Sequence, residues 1–357
     1  MFIPRHKMKA FLVNISLLFI ACLLLQGTNR SAHAQPPPPQ PQAALSPDDK
    51  ARGIALYQQH DARGAIKALR SAVKKDKSDA DAWYVLGLAL NSNNQVKDAR
   101  KAFETAVQLR PKFANAYTAL AYILLLNGKL TDAMRDATVA VDLDPANAEA
   151  HYILGIVALR REDNRSALEE AVATLKSKAS FTPALLLKSQ ALSNLYFLHT
   201  DSTSQQSPEA RLAQIKESVE SLEQYLKLTP NAADAATWRE QLVELRFYAD
   251  LADKAKPEND RAALGPSEVG TKAKIFARPE PQYTEDARQH QVSGTVVLRA
   301  VLAADGLIKH VLVVHPLSNG LTEAAVRAAR QIKFIPAQKN GHPVSQYVQI
   351  EYNFNLY

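Results

Sequence analysis

The side chains best suited to chemistry in this chain are its histidines, and four of the nine fall near the C-terminal end: His290, His310, His315 and His342. Their spacing matches no metal-ligand pattern, so we interpret them as surface residues. The chain also has no glycine-rich phosphate loop, no zinc-protease histidine pair and no Gly-x-Ser-x-Gly nucleophile motif. These absences predict a protein that is not an enzyme and that holds neither a metal ion nor a cofactor.

Composition excludes two further classes of site. Cys22 is the only cysteine, and it lies inside the first apolar stretch, so neither a disulfide framework nor a cysteine-based metal site can form. The formal charge is +7, but residues 1–34 hold four basic residues and no acidic one. The remainder has 39 basic against 36 acidic residues, a balance that gives no case for nucleic-acid binding.

The N-terminus carries the pattern of an export signal. Met1–Lys9 is basic, residues 10–26 are apolar, and Ala32-His33-Ala34 supplies the small residues of a cleavage site. We therefore expect a protein that begins at Gln35 and lies in the periplasm. Two alternatives remain open: residues 10–26 stay uncut as an inner-membrane anchor, which would be the only attachment to a membrane, or Cys22 is a lipoprotein site.

A period of 34 residues runs through the next part of the chain and predicts repeated helix pairs. Small residues recur where two helices must approach closely, and prolines recur where one pair ends and the next begins. The positions so related include Gly53, Ala65 and Leu69, then Trp83, Gly87, Ala99, Phe103 and Pro111, then Tyr117, Ala121, Ala133, Ala137 and Pro145, then His151, Gly155, Ala167 and Ala171.

This pattern closely resembles the tetratricopeptide repeat, which implies a helical solenoid with a groove for a peptide or protein segment. A rigid spacer without a specific ligand is the alternative. Trp83 and Tyr117 at the head of their repeats are predicted to be core residues. The groove ligand is unknown, and the polar residues considered for the groove are Asn91, Asn94, Asn115 and Lys188. Beyond Phe181 the period decays, which predicts an expanded last repeat with a polar loop, longer helices and a capping helix over 232–254.

The hydrophobic period changes from 3.6 to 2 in the last part of the chain, which indicates strands. Gly294–Ala303 and Leu307–His315 form a predicted hairpin, because Asp305-Gly306 between them supplies the left-handed positions of a tight turn. An amphipathic helix over Leu321–Ile332 and a long alternating strand over Val344–Leu356 follow. The pattern predicts a small α+β domain in which an antiparallel sheet packs on helices.

Residues 275–357 resemble the C-terminal domain of the TonB family. The resemblance is carried by Pro281-Gln282-Tyr283, Asp286-Ala287-Arg288, Gly294-Thr295-Val296, Asp305-Gly306, Ala324-Ala325, Phe334-Ile335-Pro336-Ala337 and Gly341 to Val344. It implies that the domain grips a segment of a TonB-dependent outer-membrane receptor by strand addition to its final strand. The protein-binding residues so implied are Pro281, Gln282, Tyr283, Val344, Gln346, Val348, Gln349, Ile350 and Tyr352.

Together these patterns predict a multidomain chain: an all-α tetratricopeptide solenoid followed by a small α+β TonB-like domain. The expected organisation is a signal peptide (1–34), a proline-rich spacer (35–47), a helical repeat domain (48–254), a linker (255–271) and the C-terminal domain (272–357). Three functions stay open: a periplasmic adaptor that binds proteins through both modules, a membrane-anchored TonB-like energy transducer, and a scaffold whose C-terminal domain binds nothing. The transducer departs from the family, because no histidine follows Ser16 in the apolar run.

Overall fold

The computed structural model describes residues 48–198, 207–252 and 262–355. The predicted signal peptide and proline-rich spacer, most of the polar loop near residue 200 and most of the predicted linker lie outside these ranges. The contacts divide the described residues into two compact parts, one that ends at Val157 and one that begins at Ala158.

In the part of the chain that the structure describes, no helix has both the length and the apolar character needed to cross a membrane.

The first part is built from helix pairs with short turns. The helices are α1 (Asp49–Gln58), α2 (Ala62–Lys75), α3 (Ala80–Ser92), α4 (Val96–Leu109), α5 (Ala114–Leu126), α6 (Leu130–Leu143) and α7 (Ala148–Arg160). Aspartates begin three of them: the side chain of Asp48 accepts a hydrogen bond from Lys50 N at the start of α1, that of Asp61 accepts one from Gly64 N at the start of α2, and that of Asp79 accepts one from Ala82 N at the start of α3. These boundaries follow the period of 34 residues.

One backbone feature repeats with the same period and ends the first helix of each pair. His60, Asn94, Gly128 and Glu162 all have positive φ, between 61° and 73°. A left-handed residue after the last turn ends a helix and redirects the chain. Glycine, asparagine and histidine adopt this conformation more often than other residue types, so Glu162 is the one position of the four that carries no signal of it in the sequence.

The predicted close approach at Gly87 is confirmed. A Cβ atom at this position would lie 2.5 Å from Cε1 of Phe103 on α4, and Phe103 is itself buried. Gly53 has the same relation to Leu69 one period earlier, with a Cβ atom 2.5 Å from Cγ of the leucine. Glycine is therefore required at both positions because the partner side chain fills the space of a methyl group.

The head residues Trp83 and Tyr117 differ from the prediction, because they are only half-buried, as is His151 at the same position of the next repeat. Trp83 Nε1 donates to the carbonyl of Lys77 at 3.0 Å, and His151 Nε2 lies 3.1 Å from the carbonyl of Pro145. The rings of Trp83 and His151 thus cover the turn before their helices, and the ring nitrogen of each lies at the surface. The residue that follows each of them is buried instead: Tyr84, Thr118 and Tyr152.

The second part opens with longer helices, as expected for an expanded last repeat. They are α8 (Asn164–Ser177), α9 (Thr182–Leu198), α10 (Pro208–Leu228) and α11 (Ala235–Ala252). Successive helices pack together, and buried Ser189 and Ser218 join α9 to α10 through two side-chain to main-chain hydrogen bonds of 2.8 Å. The predicted capping helix corresponds to α11.

The strands follow in the order expected for the C-terminal domain. The elements are β1 (Lys274–Ala277), α12 (Glu285–Gln289), β2 (Gly294–Leu302), β3 (Ile308–His315), α13 (Leu321–Ala329), β4 (Lys333–Ile335), β5 (Ala337–Lys339), β6 (His342–Val344) and β7 (Gln346–Phe354). The main sheet is antiparallel with the order β3-β2-β7, and β1–β4 and β5–β6 form two-stranded ribbons. The predicted α+β architecture is confirmed.

The predicted strand over Val344–Leu356 is wrong in one respect, because it is interrupted at Ser345. Val344 belongs to β6 and pairs with Ala337, whereas β7 begins at Gln346. Asn340 and Gly341 both have positive φ and close the short β5–β6 hairpin, which takes Val344 away from β7. Alternation alone did not reveal this turn.

The main sheet is covered on both faces. One face packs on α13 through a core that includes Leu298, Leu302, Leu321 and Ile350. On the other face, Val301 and Ala303 pack with Phe247 and Leu251 of α11. A strand buried on both faces carries a nearly continuous apolar run, and β2 reads Gly-Thr-Val-Val-Leu-Arg-Ala-Val-Leu. The C-terminal sheet and the last repeat helices therefore share a core.

Candidate peptide-binding edge

The strand β7 lies at an edge of the main sheet, because β2 pairs with it along one side only. We call the opposite side the outer edge of β7. Tyr347 N donates to Leu264 O at 3.0 Å on this side, and the guanidinium of Arg278 donates to the carbonyl of Glu351. Since main-chain groups alternate along an antiparallel strand, odd-numbered residues present N–H and C=O to the outer edge and even-numbered residues bond to β2.

The other edge of the sheet, β3, is covered by α11. Gln241 Oε1 accepts a hydrogen bond of 3.3 Å from Val313 N, and the Tyr248 hydroxyl donates to the carbonyl of His310 at 2.9 Å. An edge whose main-chain groups are already satisfied cannot template a further strand. Side chains of α11 thus occupy two main-chain groups of β3, which leaves β7, among the described residues, as the candidate edge of this sheet.

The predicted binding residues of β7 fall into two groups. Ile350 and Tyr352 are buried in the core and Val348 is half-buried against it, and the main-chain groups of these three even-numbered residues bond to β2, so they shape the strand and do not face a segment at the outer edge. Gln346 is also buried, and its Oε1 accepts a hydrogen bond of 2.8 Å from Ala273 N. Gln349 is exposed, and its Nε2 donates to Glu351 Oε1 at 2.7 Å.

The motif Pro281-Gln282-Tyr283 lies at the far end of β7. The Tyr283 ring meets that of Phe354 edge to face, with 5.9 Å between ring centroids, and its hydroxyl donates to the carbonyl of Val292. Pro281 is half-buried and Gln282 is exposed. The structure therefore brings this motif together with the end of the predicted binding strand, whereas Val344 lies in a different strand.

Two residues at the outer edge had no place in the sequence prediction. Leu264, in the predicted linker, forms an isolated parallel bridge with Gln346: its N–H donates to Ser345 O at 2.9 Å and its carbonyl accepts from Tyr347 N. Arg278 places its guanidinium 4.7 Å from the centroid of the Tyr352 ring. Leu264 carries no pattern that separates it from a linker residue, and only the nearness of Arg278 to Pro281 could have drawn attention to it.

The face of the main sheet that packs on α9 and α11 is a low-dielectric environment. Arg299 pairs across from Gln349, and its Nη2 donates to the carbonyl of Phe197 at 3.3 Å. Burial lowers the pKa of Arg299, and it raises the pKa of Tyr196 and of Tyr248 on the facing helices. The side chains next to β7 on this face are therefore packed rather than solvated.

Comparison with known families decides what these two modules are. Residues 279–356 match the family model described as the Gram-negative bacterial TonB protein C-terminal. Residues 50–112 and 92–144 match a tetratricopeptide repeat model. The chain carries tetratricopeptide repeats followed by a TonB C-terminal domain. Both are non-catalytic protein-interaction modules, and a TonB C-terminal domain is typical of proteins of the Gram-negative cell envelope.

Solved structures with a similar chain path are tetratricopeptide proteins of low sequence identity. MamA from Desulfovibrio magneticus RS-1 is 17% identical with a TM-score of 0.41, over 53% of this chain and 99% of that one. A thermophilic TPR protein from Thermus thermophilus is 16% identical with a TM-score of 0.41, over 55% and 97%. YrrB, described as a TPR protein with an unusual peptide-binding site, is 16% identical with a TM-score of 0.40, over 53% and 88%. No curated protein matches the chain.

In the tetratricopeptide repeats, the polar residues considered for a groove have different surroundings. Asn94 ends α3 with a positive φ, and Lys188 Nζ forms an ion pair of 2.7 Å with Glu217 Oε1. Asn91 is half-buried, and Asn115 is exposed near the start of α5. Asn94 and Asn115 are thus the exposed residues of the four, whereas the Lys188 side chain is already engaged in an ion pair.

The histidines of the TonB C-terminal domain are not all surface residues, in contrast to the prediction. His310 Nδ1 lies 3.0 Å from Glu244 Oε2 and its ring stacks on Phe247, with 3.6 Å between centroids, and His315 Nε2 lies 3.2 Å from Glu162 Oε1. Both are half-buried between the sheet and the helices. Throughout the described ranges, no three His, Cys, Asp or Glu side chains are grouped as metal ligands.

Proposed function

We propose that this protein is an exported adaptor of the Gram-negative cell envelope that captures a segment of an outer-membrane receptor by strand addition to β7. The observation that carries the proposal is the main chain of Gln349. Its N–H and C=O face the outer edge of β7, and no partner for them lies within residues 48–198, 207–252 and 262–355. Main-chain groups of this kind supply the affinity in strand addition.

The repeats give the proposed adaptor its second binding surface. Stacked helix pairs present extended surfaces that suit peptide or protein segments. With the export pattern of residues 1–34, this arrangement favours a periplasmic protein that joins a receptor to another protein. The ligand of the repeats and the particular receptor belong to the same proposal and need separate tests.

The decisive experiment compares Gln349→Pro with Gln349→Ala in the chain that begins at Gln35. Proline removes the outward N–H without removing a hydrogen bond to β2, whereas alanine keeps the N–H. We expect Gln349→Pro to weaken binding by more than about tenfold and Gln349→Ala to change it by less than about threefold. The ligands are peptides from the N-terminal segments of outer-membrane receptors, and affinity is measured by calorimetry.

Circular dichroism must show that both variants keep the native fold. Proline at the even-numbered neighbours Val348 and Ile350 would remove bonds to β2, so those variants report damage to the sheet rather than binding. Equal binding by Gln349→Pro and Gln349→Ala would contradict strand addition at this edge. If the unmodified chain binds none of the peptides, the scaffold function takes the place of the adaptor.

A further inference from the structure

The outer edge of β7 is occupied at two places by other parts of the same chain. At the start of the strand, Leu264 bonds to Ser345 and Tyr347 as a short parallel strand would. Further along, the Arg278 guanidinium bonds to the carbonyl of Glu351. Gln349 lies between these contacts, so a segment that pairs with Gln349 soon meets one of them.

The two contacts differ in how firmly they are held. Leu264 is buried and makes two main-chain hydrogen bonds, and the next residue, Gly265, donates its N–H to Glu268 Oε2 at 2.6 Å. Arg278 is exposed, and its contacts at the edge are one hydrogen bond to Glu351 and the face of the Tyr352 ring. An exposed side chain with a single hydrogen bond exchanges readily with water and with competing donors.

We propose that Arg278 is a displaceable cap on the outer edge of β7 and that it sets how far along the strand a captured segment pairs. This inference rests on the proposed function. A segment that continues toward Asn353 needs the Glu351 carbonyl as an acceptor for one of its own N–H groups, so the guanidinium must leave. The fitting partner is an extended segment that has an N–H, and therefore no proline, at the position opposite Glu351.

The cap has a thermodynamic consequence that a variant can reveal. Displacing Arg278 opposes binding, so its removal should strengthen the capture of segments that use the Glu351 carbonyl. Arg278→Ala removes the whole side chain. Arg278→Met removes the donors but keeps an apolar stem on the Tyr352 ring, which guards against a loss of folding. Arg288→Ala is the matched control, because its guanidinium lies 5.8 Å from the Tyr283 ring centroid and has no bond to β7.

The test uses the chain from Gln35 and nonapeptides from the N-terminal segments of outer-membrane receptors, each also made with one main-chain nitrogen methylated in turn. Calorimetry should show that Arg278→Ala and Arg278→Met bind the unmodified peptide about three- to tenfold more tightly than the unmodified chain does. Arg288→Ala should change nothing. The peptide that is methylated at the nitrogen opposite Glu351 cannot donate to the Glu351 carbonyl. This peptide should gain no affinity from the loss of Arg278.

Three outcomes overturn parts of this account in distinguishable ways. If receptor peptides bind but the Arg278 variants bind them equally or more weakly, Arg278 is not a cap, and strand addition to β7 stands. If the gain is the same for every methylated peptide, it does not come from the Glu351 carbonyl. If no peptide binds to the unmodified chain or to any variant, the proposed function itself fails.

Discussion

Gly87 shows at the scale of one residue what holds a repeat together. The Phe103 ring fills the space in which a side chain at position 87 would begin, and neither residue has room to move because both are buried. We expect Gly87→Ala to destabilise the chain by about 1–3 kcal/mol through overpacking, although alanine favours a helix over glycine. Thermal and urea denaturation of the chain from Gln35 measure the change.

A second substitution tests whether the contact itself is the cause. Phe103→Ala removes every ring atom that a Cβ atom at position 87 would meet, so Gly87→Ala should cost less in that background than in the original chain. The double-mutant cycle then isolates the coupling between the two residues. An unchanged cost in the Phe103→Ala background would show that the glycine is required for a different reason.

Residue types alone revealed some of these positions and concealed others. The period of 34 residues was enough to predict that a glycine at position 87 permits close packing, because size is the property that matters there. It could not predict that Glu162 shares the left-handed backbone of His60, Asn94 and Gly128, since glutamate is not a residue type that favours it. The head residue Trp83 was misplaced for a related reason, because a large ring satisfies the pattern whether it fills the core or covers a turn.

At the scale of elements, helix α11 is the support of the main sheet. Phe247 stacks on His310 and packs against the cluster that contains Val301, whereas Val243 on the same helix is 59% exposed. We expect Phe247→Ala to lower the free energy of unfolding by about 2 kcal/mol, less than for a fully buried ring. Val243→Ala should stay within about 0.5 kcal/mol of the original chain.

Amide hydrogen exchange gives this comparison a local readout. Phe247→Ala should speed the exchange of β3 amides, because the strand loses the packing that holds it against α11. Val243→Ala should leave those rates unchanged. Equal effects of the two substitutions on β3 would mean that the sheet does not depend on α11.

The sequence predicted the strands and helices of the C-terminal domain better than it predicted which elements pack against the sheet. Alternation and the Asp305-Gly306 turn predicted the hairpin of β2 and β3 because both signals are local. The sequence did not predict that α11 covers the second face of the main sheet. Val297 and Val301 give β2 a continuous apolar run, but periodicity does not tell which element covers a face. The bridge of Leu264 to β7 depends on residues far apart in the chain and left no local signal.

At the scale of the whole molecule, the open question is where the chain divides into folding units. The sequence predicts a boundary at residues 254–255, and that boundary remains a prediction. The contacts group everything from Ala158 onward, so the last repeat helices and the TonB C-terminal domain share a core. Val297 and Val301, both buried, would lose their cover in a fragment that lacked those helices.

The thermal stabilities of two fragments, residues 158–357 and residues 272–357, distinguish a boundary at 254–255 from a folding unit that begins at Ala158. Exposing two valines costs about 3–6 kcal/mol, and a small domain loses about 4–8 °C in Tm for each kcal/mol. We therefore expect residues 158–357 to melt in one transition and residues 272–357 to melt at least about 10 °C lower or to be unfolded. Calorimetry and circular dichroism measure both, and a fluorescent dye for exposed apolar surface should bind only the shorter fragment. If residues 272–357 melt at the same temperature alone as within 158–357, the boundary at 254–255 is correct and the shared core adds no stability.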